Sequence, residues 1–133
     1  MSDRERGVLD TSVVIDLPHI STDALPDELA ISTITLAELA AGPHASDDPT
    51  ERAARQQRLQ WVEANFEPLS FDAEASRCYG VIYAAVRAAG RRPRRRTADL
   101  FIAAVATAQG LALYTRNPDD FAGLDKLVEV VAV

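Results

Sequence analysis

Gly7-Val8-Leu9-Asp10-Thr11-Ser12-Val13-Val14-Ile15-Asp16-Leu17 decides the fold of this chain. A short apolar run leads into three small polar residues, and the apolar character then resumes as far as Leu17, before Pro18. This reads as a buried strand, a turn, and a short helix capped by Thr11 or Ser12. The pattern recurs downstream. Leu29-Ala30-Ile31 runs into Ser32 and Thr33, which predicts a second strand followed by a helix through Ala41, stopped by Gly42-Pro43.

Working outward, Asp48-Pro49-Thr50-Glu51 combines a capping aspartate, a first-turn proline and a reciprocal glutamate, so a helix should run to about Ala64. Glu67-Pro68-Leu69 reads as a weak strand. Asp72 caps a helix that carries Ala75, Cys78, Tyr79, Ile82, Val86 and Ala89 on one face and ends at Gly90. Arg91-Arg92-Pro93-Arg94-Arg95-Arg96 is a basic loop. Thr97 then opens a helix through Gln109 with almost no polar face, the pattern of a buried helix. After Gly110 come a strand from Leu111 to Tyr114, a loop or short helix from Asn117 to Phe121, and a last strand from Leu127 to Val133. Strands alternating with helices require crossovers over a sheet. The expected fold is therefore α/β, with a central, mostly parallel sheet of four to five strands flanked by helices on both faces, in a single domain spanning 1–133.

The 133 residues are 47% apolar and 26% charged, enough to build one core. Twenty acidic residues against 14 basic ones give a net charge of -6, which excludes a sequence-blind polycation that coats nucleic acid. It leaves room for an acidic, metal-holding site. Cys78 is the only cysteine, so an intramolecular disulfide is impossible and a reducing compartment is expected. The chain opens on Ser2-Asp3-Arg4-Glu5-Arg6 and has no apolar run near the ~20 residues of a membrane span. A cytoplasmic protein without a membrane anchor is expected.

In open α/β sheets the site lies at the carboxyl ends of the strands. Asp10 follows the first strand, and Asn117, Asp119 and Asp120 follow the one ending at Tyr114, so all should share one sheet edge. Glu38 and Asp99 sit in segments that otherwise look buried, where an unpartnered carboxylate is costly and a hard divalent cation removes the cost. Each acid also has a local explanation. Asp10 could cap a turn, Glu38 could complete a capping box with Thr35, and Asp99 could favour the positive end of its helix. Three independent caps would not have to converge, and the predicted convergence favours a shared site.

On these residues the chain resembles the PIN-domain ribonucleases, in particular the VapC-type toxins of bacterial toxin-antitoxin pairs. The resemblance is carried by Val8-Leu9-Asp10-Thr11-Ser12-Val13-Val14-Ile15-Asp16, Ile31-Ser32-Thr33-Ile34-Thr35-Leu36-Ala37-Glu38-Leu39, Ala98-Asp99-Leu100-Phe101-Ile102-Ala103-Ala104 and Tyr114-Thr115-Arg116-Asn117-Pro118-Asp119-Asp120-Phe121. It implies a PIN-like fold and a magnesium-dependent endoribonuclease, with manganese able to substitute, in which Asp10, Glu38 and Asp99 hold the metal. Many members carry aspartate where this chain has Asn117, so Asn117, Asp119 and Asp120 compete for the fourth position. Asn117 contributes no negative charge, and one well-held ion is expected, any second arriving with substrate. The resemblance also implies a cognate VapB-type antitoxin and a homodimer, for which Leu59 and Trp61 are candidate contact residues.

The side chains fit phosphodiester chemistry on their own terms. Thr11, Ser12, Thr115 and Arg116 can orient the site or a phosphate, and Arg94, Arg95 and Arg96 place positive charge just before Asp99. Arg52, Arg55 and Arg58 read as a solvated face. His19 and His44 lie in predicted loops, which disfavours a metal-independent histidine pair. A phosphoacceptor receiver domain would need a lysine after a late strand, and Lys126 precedes the last one. The remaining rival is a catalytically silent PIN-like binding module, motivated by Asn117.

Overall fold

The computed structural model describes residues 5–133. The charged opening read at Ser2 to Arg4 lies outside them. Four strands, β1 (Arg6–Leu9), β2 (Glu28–Ala30), β3 (Ala112–Thr115) and β4 (Val130–Ala132), form one sheet in the order β2-β1-β3-β4. Every pairing is parallel, with Leu9 opposite Tyr114 and Leu113 opposite Val130. Five α-helices accompany it: α1 (Thr11–Asp16), α2 (Thr33–Ala41), α3 (Pro49–Asn65), α4 (Ala73–Ala88) and α5 (Thr97–Gln109).

Alternation along the strands sends neighbouring residues to opposite faces. Val8 and Leu113 enter a core with Ile82 and Val86 of α4 and Leu100, Ile102 and Ala103 of α5. Leu9 and Tyr114 enter a second core with Val13 and Val14 of α1, Leu39 of α2 and Val62 of α3. Both faces of the sheet are thus covered, which is why its strands read as unbroken apolar runs. Helix α5 contributes Leu100 and Ile102 through Ala106 as buried residues, and its C-terminal Gly110 adopts a left-handed φ of 67°.

The chain leaves β1 for β2 on one side and returns to β3 on the other, so the β1/β3 junction is the topological switch point. Asp10 and Arg116 are the first residues beyond the carboxyl ends of these two strands.

Several sequence expectations are corrected by the packing. The cap of α1 is Asp10, whose side chain accepts from the Thr11 N–H; Thr11 and Ser12 are already helical. Glu67-Pro68-Leu69 makes no strand, only an isolated bridge between Ser32 and Leu69, since Pro68 lacks the N–H that a ladder needs. The last strand spans only Val130–Ala132, because Leu127 and Val128 close a turn onto the Leu124 carbonyl. Asp48 does cap α3, but Glu51 pairs with Arg55 at 2.9 Å instead of reaching back, while the Asp48 N–H donates to Ser46 Oγ.

Gly7 explains itself here. A Cβ at this position would run into the buried Tyr114 ring and come within 3.1 Å of Pro26. Gly7→Ala should therefore lower stability by about 1 to 3 kcal/mol, the usual cost of overpacking, and urea unfolding should show it as a reduced midpoint at an unchanged slope.

Candidate active site

Asp10 follows β1, and its N–H donates to the Tyr114 carbonyl at 2.9 Å, which fixes its position against β3. Its side chain, in a residue only 4% exposed, has both oxygens occupied. Oδ1 accepts from the Thr11 N–H at 2.8 Å, and Oδ2 accepts from Thr115 Oγ1 at 2.8 Å and Ser12 Oγ at 3.0 Å. These bonds offset the desolvation of a buried carboxylate. The hydroxyls are themselves anchored: Thr115 Oγ1 accepts the Asn117 N–H at 3.0 Å and Ser12 Oγ accepts the Arg116 N–H at 3.2 Å. One carboxylate thereby joins β1, α1 and the turn after β3.

Glu38 is exposed, contrary to the expectation from its apolar neighbours, because Leu39 is the residue that α2 turns inward. Nor does Glu38 complete a capping box with Thr35; the cap of α2 is Ser32, which accepts from the Thr35 N–H. Glu38 is aimed by a hydroxyl chain instead. Thr11 Oγ1 donates to Glu38 Oε1 at 2.7 Å and lies 3.0 Å from Thr35 Oγ1, which is fully buried. With the Thr11 proton directed at Glu38, Thr35 is the donor of that second bond. Sequence reasoning missed this positioning role of Thr35, although its spacing of three from Glu38 put both on one helix face.

Asp99 stands half-buried in the first turn of α5, and its carboxyl is raised to about 6 from the usual 3.8. Burial is the largest cause, followed by repulsion from Asp10, Asp120 and Glu38, with Arg96 pulling the other way. Carboxylates drawn from three other stretches of sequence thus all act on Asp99. Arg96 bridges into this group through an ion pair with Asp120.

The other candidate residues are placed as follows. Asp119 is exposed and takes part through its backbone, its carbonyl accepting from Arg91 Nη1 at 2.7 Å. Asn117 also acts through its backbone, accepting the Asp120 N–H at 3.0 Å. Among the three contenders for the fourth position, only Asp120 acts on Asp99. Arg116 donates to Asp16 at 3.2 Å on the surface, and Arg94 and Arg95 are exposed. Arg55 is held by Glu51 and the Gly42 carbonyl. His19 and His44 are exposed, and Cys78 packs against the core.

A parallel sheet with converging acids at its switch point defines a class, and the comparisons give the family. The model of the PIN domain matches residues 7–127, and the chain belongs to the PIN-domain family. It is 39% identical over 132 residues to Ribonuclease VapC5 of Mycobacterium tuberculosis (strain ATCC 25618 / H37Rv), covering 96% of this chain and 95% of that protein. It is 34% identical over 133 residues to Ribonuclease VapC4 of the same organism, covering 96% and 97%. Among solved structures it is similar to VapBC-5 of Mycobacterium tuberculosis, a member of the VapBC family of toxin-antitoxin systems, with a TM-score of 0.83 and 38% identity over 97% of this chain and 99% of that one. Among the described residues no helix is long and apolar enough to cross a membrane.

The raised Asp99 carboxyl has a signed consequence. Its folded value lies above the unfolded one, so the native state binds more protons between about 3.8 and 6, and stability falls as pH rises through that window. Asp99→Asn should remove the penalty. The variant should gain on the order of 1 kcal/mol at pH 7, after discounting for solvent screening at a half-exposed group, and the gain should vanish below pH 4. Urea unfolding across pH checks both.

Proposed function

We infer that this chain is the ribonuclease toxin of a type II toxin-antitoxin pair, hydrolysing RNA phosphodiester bonds with a divalent ion, magnesium or manganese, at Asp10, Glu38, Asp99 and Asp120. The observation that carries this reading is the placement of Asp10, Glu38 and Asp120 within electrostatic range of Asp99 at the switch point of a PIN fold, where burial first and these carboxylates second raise the Asp99 carboxyl. The kinship with VapC5 and VapC4, both named ribonucleases, supports the reaction class.

The donor set fits a hard cation, since every side chain offered is a carboxylate oxygen. Among the described residues no three acidic, imidazole or thiol groups stand close enough to cage an ion directly. That spacing fits an ion held directly by one or two carboxylates, with the rest acting through water, the way magnesium keeps part of its hydration shell. When bound, such an ion activates water and stabilises charge on the phosphate.

The chain's own residues do the positioning. Asp10 stays fixed through its three hydrogen bonds, so its placement does not depend on the ion. Asp99 and Asp120 supply further negative charge, and Thr11 with Thr35 hold Glu38 in place. Arg96 neutralises part of this charge through its ion pair with Asp120. Because Asp120 supplies a fourth carboxylate, the amide at Asn117 no longer motivates a silent module.

The partner is a VapB-type antitoxin, in keeping with the toxin-antitoxin complexes of the same fold. A groove of about 510 Å³ between α1 and α3, lined by Val14, Ile15, Leu17, Pro18 and Trp61, suits an apolar segment of it. Ile15 and Trp61 are 42% and 47% exposed there, whereas Leu59 packs inward against the second core. A homodimer acting in the cytoplasm completes the proposal.

Purified, antitoxin-free protein should cut total RNA into discrete fragments with magnesium or manganese and not with EDTA. Asp10→Asn should lower the rate at least a hundredfold, the scale of losing one charge-stabilising group. Undiminished cleavage by that variant, or no cleavage with either metal, would overturn the proposal. Millimolar magnesium should also raise the wild-type melting temperature by mass action at the folded site, a shift that thermal scans of the variant should lose.

A further inference from the structure

A second concave site adjoins the carboxylates on the far side of Arg96. It is a pocket of about 310 Å³ between the end of α4, the basic loop and the turn after β3. Val86 and Leu100 supply its apolar floor, and Arg91, Arg92, Arg95 and Arg96 line it. In a chain with net charge -6, this gathers four of its 14 basic residues into one depression.

The arginines divide into two kinds. Arg91 and Arg96 are committed, the first to the Asp119 carbonyl at 2.7 Å and the second to the Asp120 carboxylate. They brace the loop against the turn that carries Asp120. Arg92 and Arg95 have guanidinium groups with no hydrogen-bond or ion-pair partner among the described residues, and both are exposed at the pocket wall. Their only mutual link is in the backbone, where the Arg95 N–H donates to the Arg92 carbonyl at 3.2 Å, a turn that brings the two residues onto one loop. Arg94, between them, does not line the pocket.

We propose that this pocket is an RNA subsite, in which Arg92 and Arg95 bind a backbone phosphate next to the one that is cut, over the floor of Val86 and Leu100. The proposal rests on the ribonuclease reading and deepens it. A polyanion entering an acidic cleft is repelled by the carboxylates, and unpaired guanidiniums on the adjoining wall supply the compensating attraction. Since Arg96 and Asp120 form the wall shared by the two sites, a strand filling the pocket is delivered to the carboxylates in one register. Single-stranded RNA is the class that suits it, because a chain with splayed bases can place one phosphate in a depression and rest an adjacent base on an apolar floor. In this proposal the loop's phosphate contacts fall to Arg92 and Arg95, so Arg95 is shared with the run Arg94 to Arg96 read from the sequence.

The test is binding of a labelled single-stranded RNA in EDTA, where binding is read without cleavage, to wild type, Arg92→Ala/Arg95→Ala and Arg94→Ala. The double variant should bind about tenfold more weakly, as expected for losing a charged hydrogen-bonded contact. Its slope of log affinity against log salt should fall by at least about 0.7, one single-strand phosphate. Arg94→Ala should match wild type within about twofold, and with metal the double variant should show a raised KM and a preserved kcat. Equal damage from Arg94→Ala would mean diffuse charge and overturn the subsite. So would unchanged binding by the double variant, or a loss of antitoxin affinity with RNA affinity intact. If wild type binds RNA with this pattern but cuts it with neither magnesium nor manganese, the nuclease reading fails and the phosphate pocket stands.

Discussion

The buried Asp10 carboxylate is the constraint on which the rest of the site depends. A charge placed at 4% exposure must be paired or hydrogen-bonded, and here each bond it accepts fixes a different part of the chain. The Thr11 N–H starts α1, the Thr115 hydroxyl holds the end of β3, and Ser12 carries the connection on to Arg116. Strand pairing brings the two segments together, and the carboxylate then locks the turn beyond them. The order of the sheet makes this junction the crevice where α/β folds bind ligands.

Electrostatics at this edge is built by opposition. Asp10, Glu38 and Asp120 are brought within range of the half-buried Asp99, whose carboxyl is raised by burial first and by their repulsion second. The arginines of the loop before α5 stand directly against this cluster, some tied to the turn after β3 and some unpaired. An acidic protein can handle RNA in this way, since its positive charge is concentrated where the strand must approach and need not be spread over the surface.

Much of the fold was legible in the sequence because its signals are local. The cap at Asp72, the left-handed Gly110 and the apolar α5 each depend on a few neighbouring residues. The readings that failed depended on tertiary context. Nothing local to Glu67-Pro68-Leu69 shows that only one bridge to Ser32 will form, and the burial pattern around Glu38 suggested an inward side chain, whereas α2 turns Leu39 inward and leaves Glu38 exposed. Within the candidate site, Asp10, Glu38 and Asp99 could be named from motif and position. Which of Asn117, Asp119 and Asp120 would act on Asp99 could not, because that depends on a 3-10 turn from Pro118 to Phe121 and on Arg96 reaching across from another loop. Thr35 was visible as a helix residue, but its hydroxyl gains meaning only when Thr11 at the start of α1 arrives beside it.

The central claim is that these carboxylates form one unit poised for a cation. The most direct measurement is the Asp99 side-chain carboxyl resonance, followed by NMR across pH with and without magnesium. The account predicts titration near pH 6 in the absence of metal, a lower value in Asp120→Asn, and a large downward shift when magnesium is added. Titration near the ordinary 3.8, indifferent both to Asp120 and to magnesium, would contradict it.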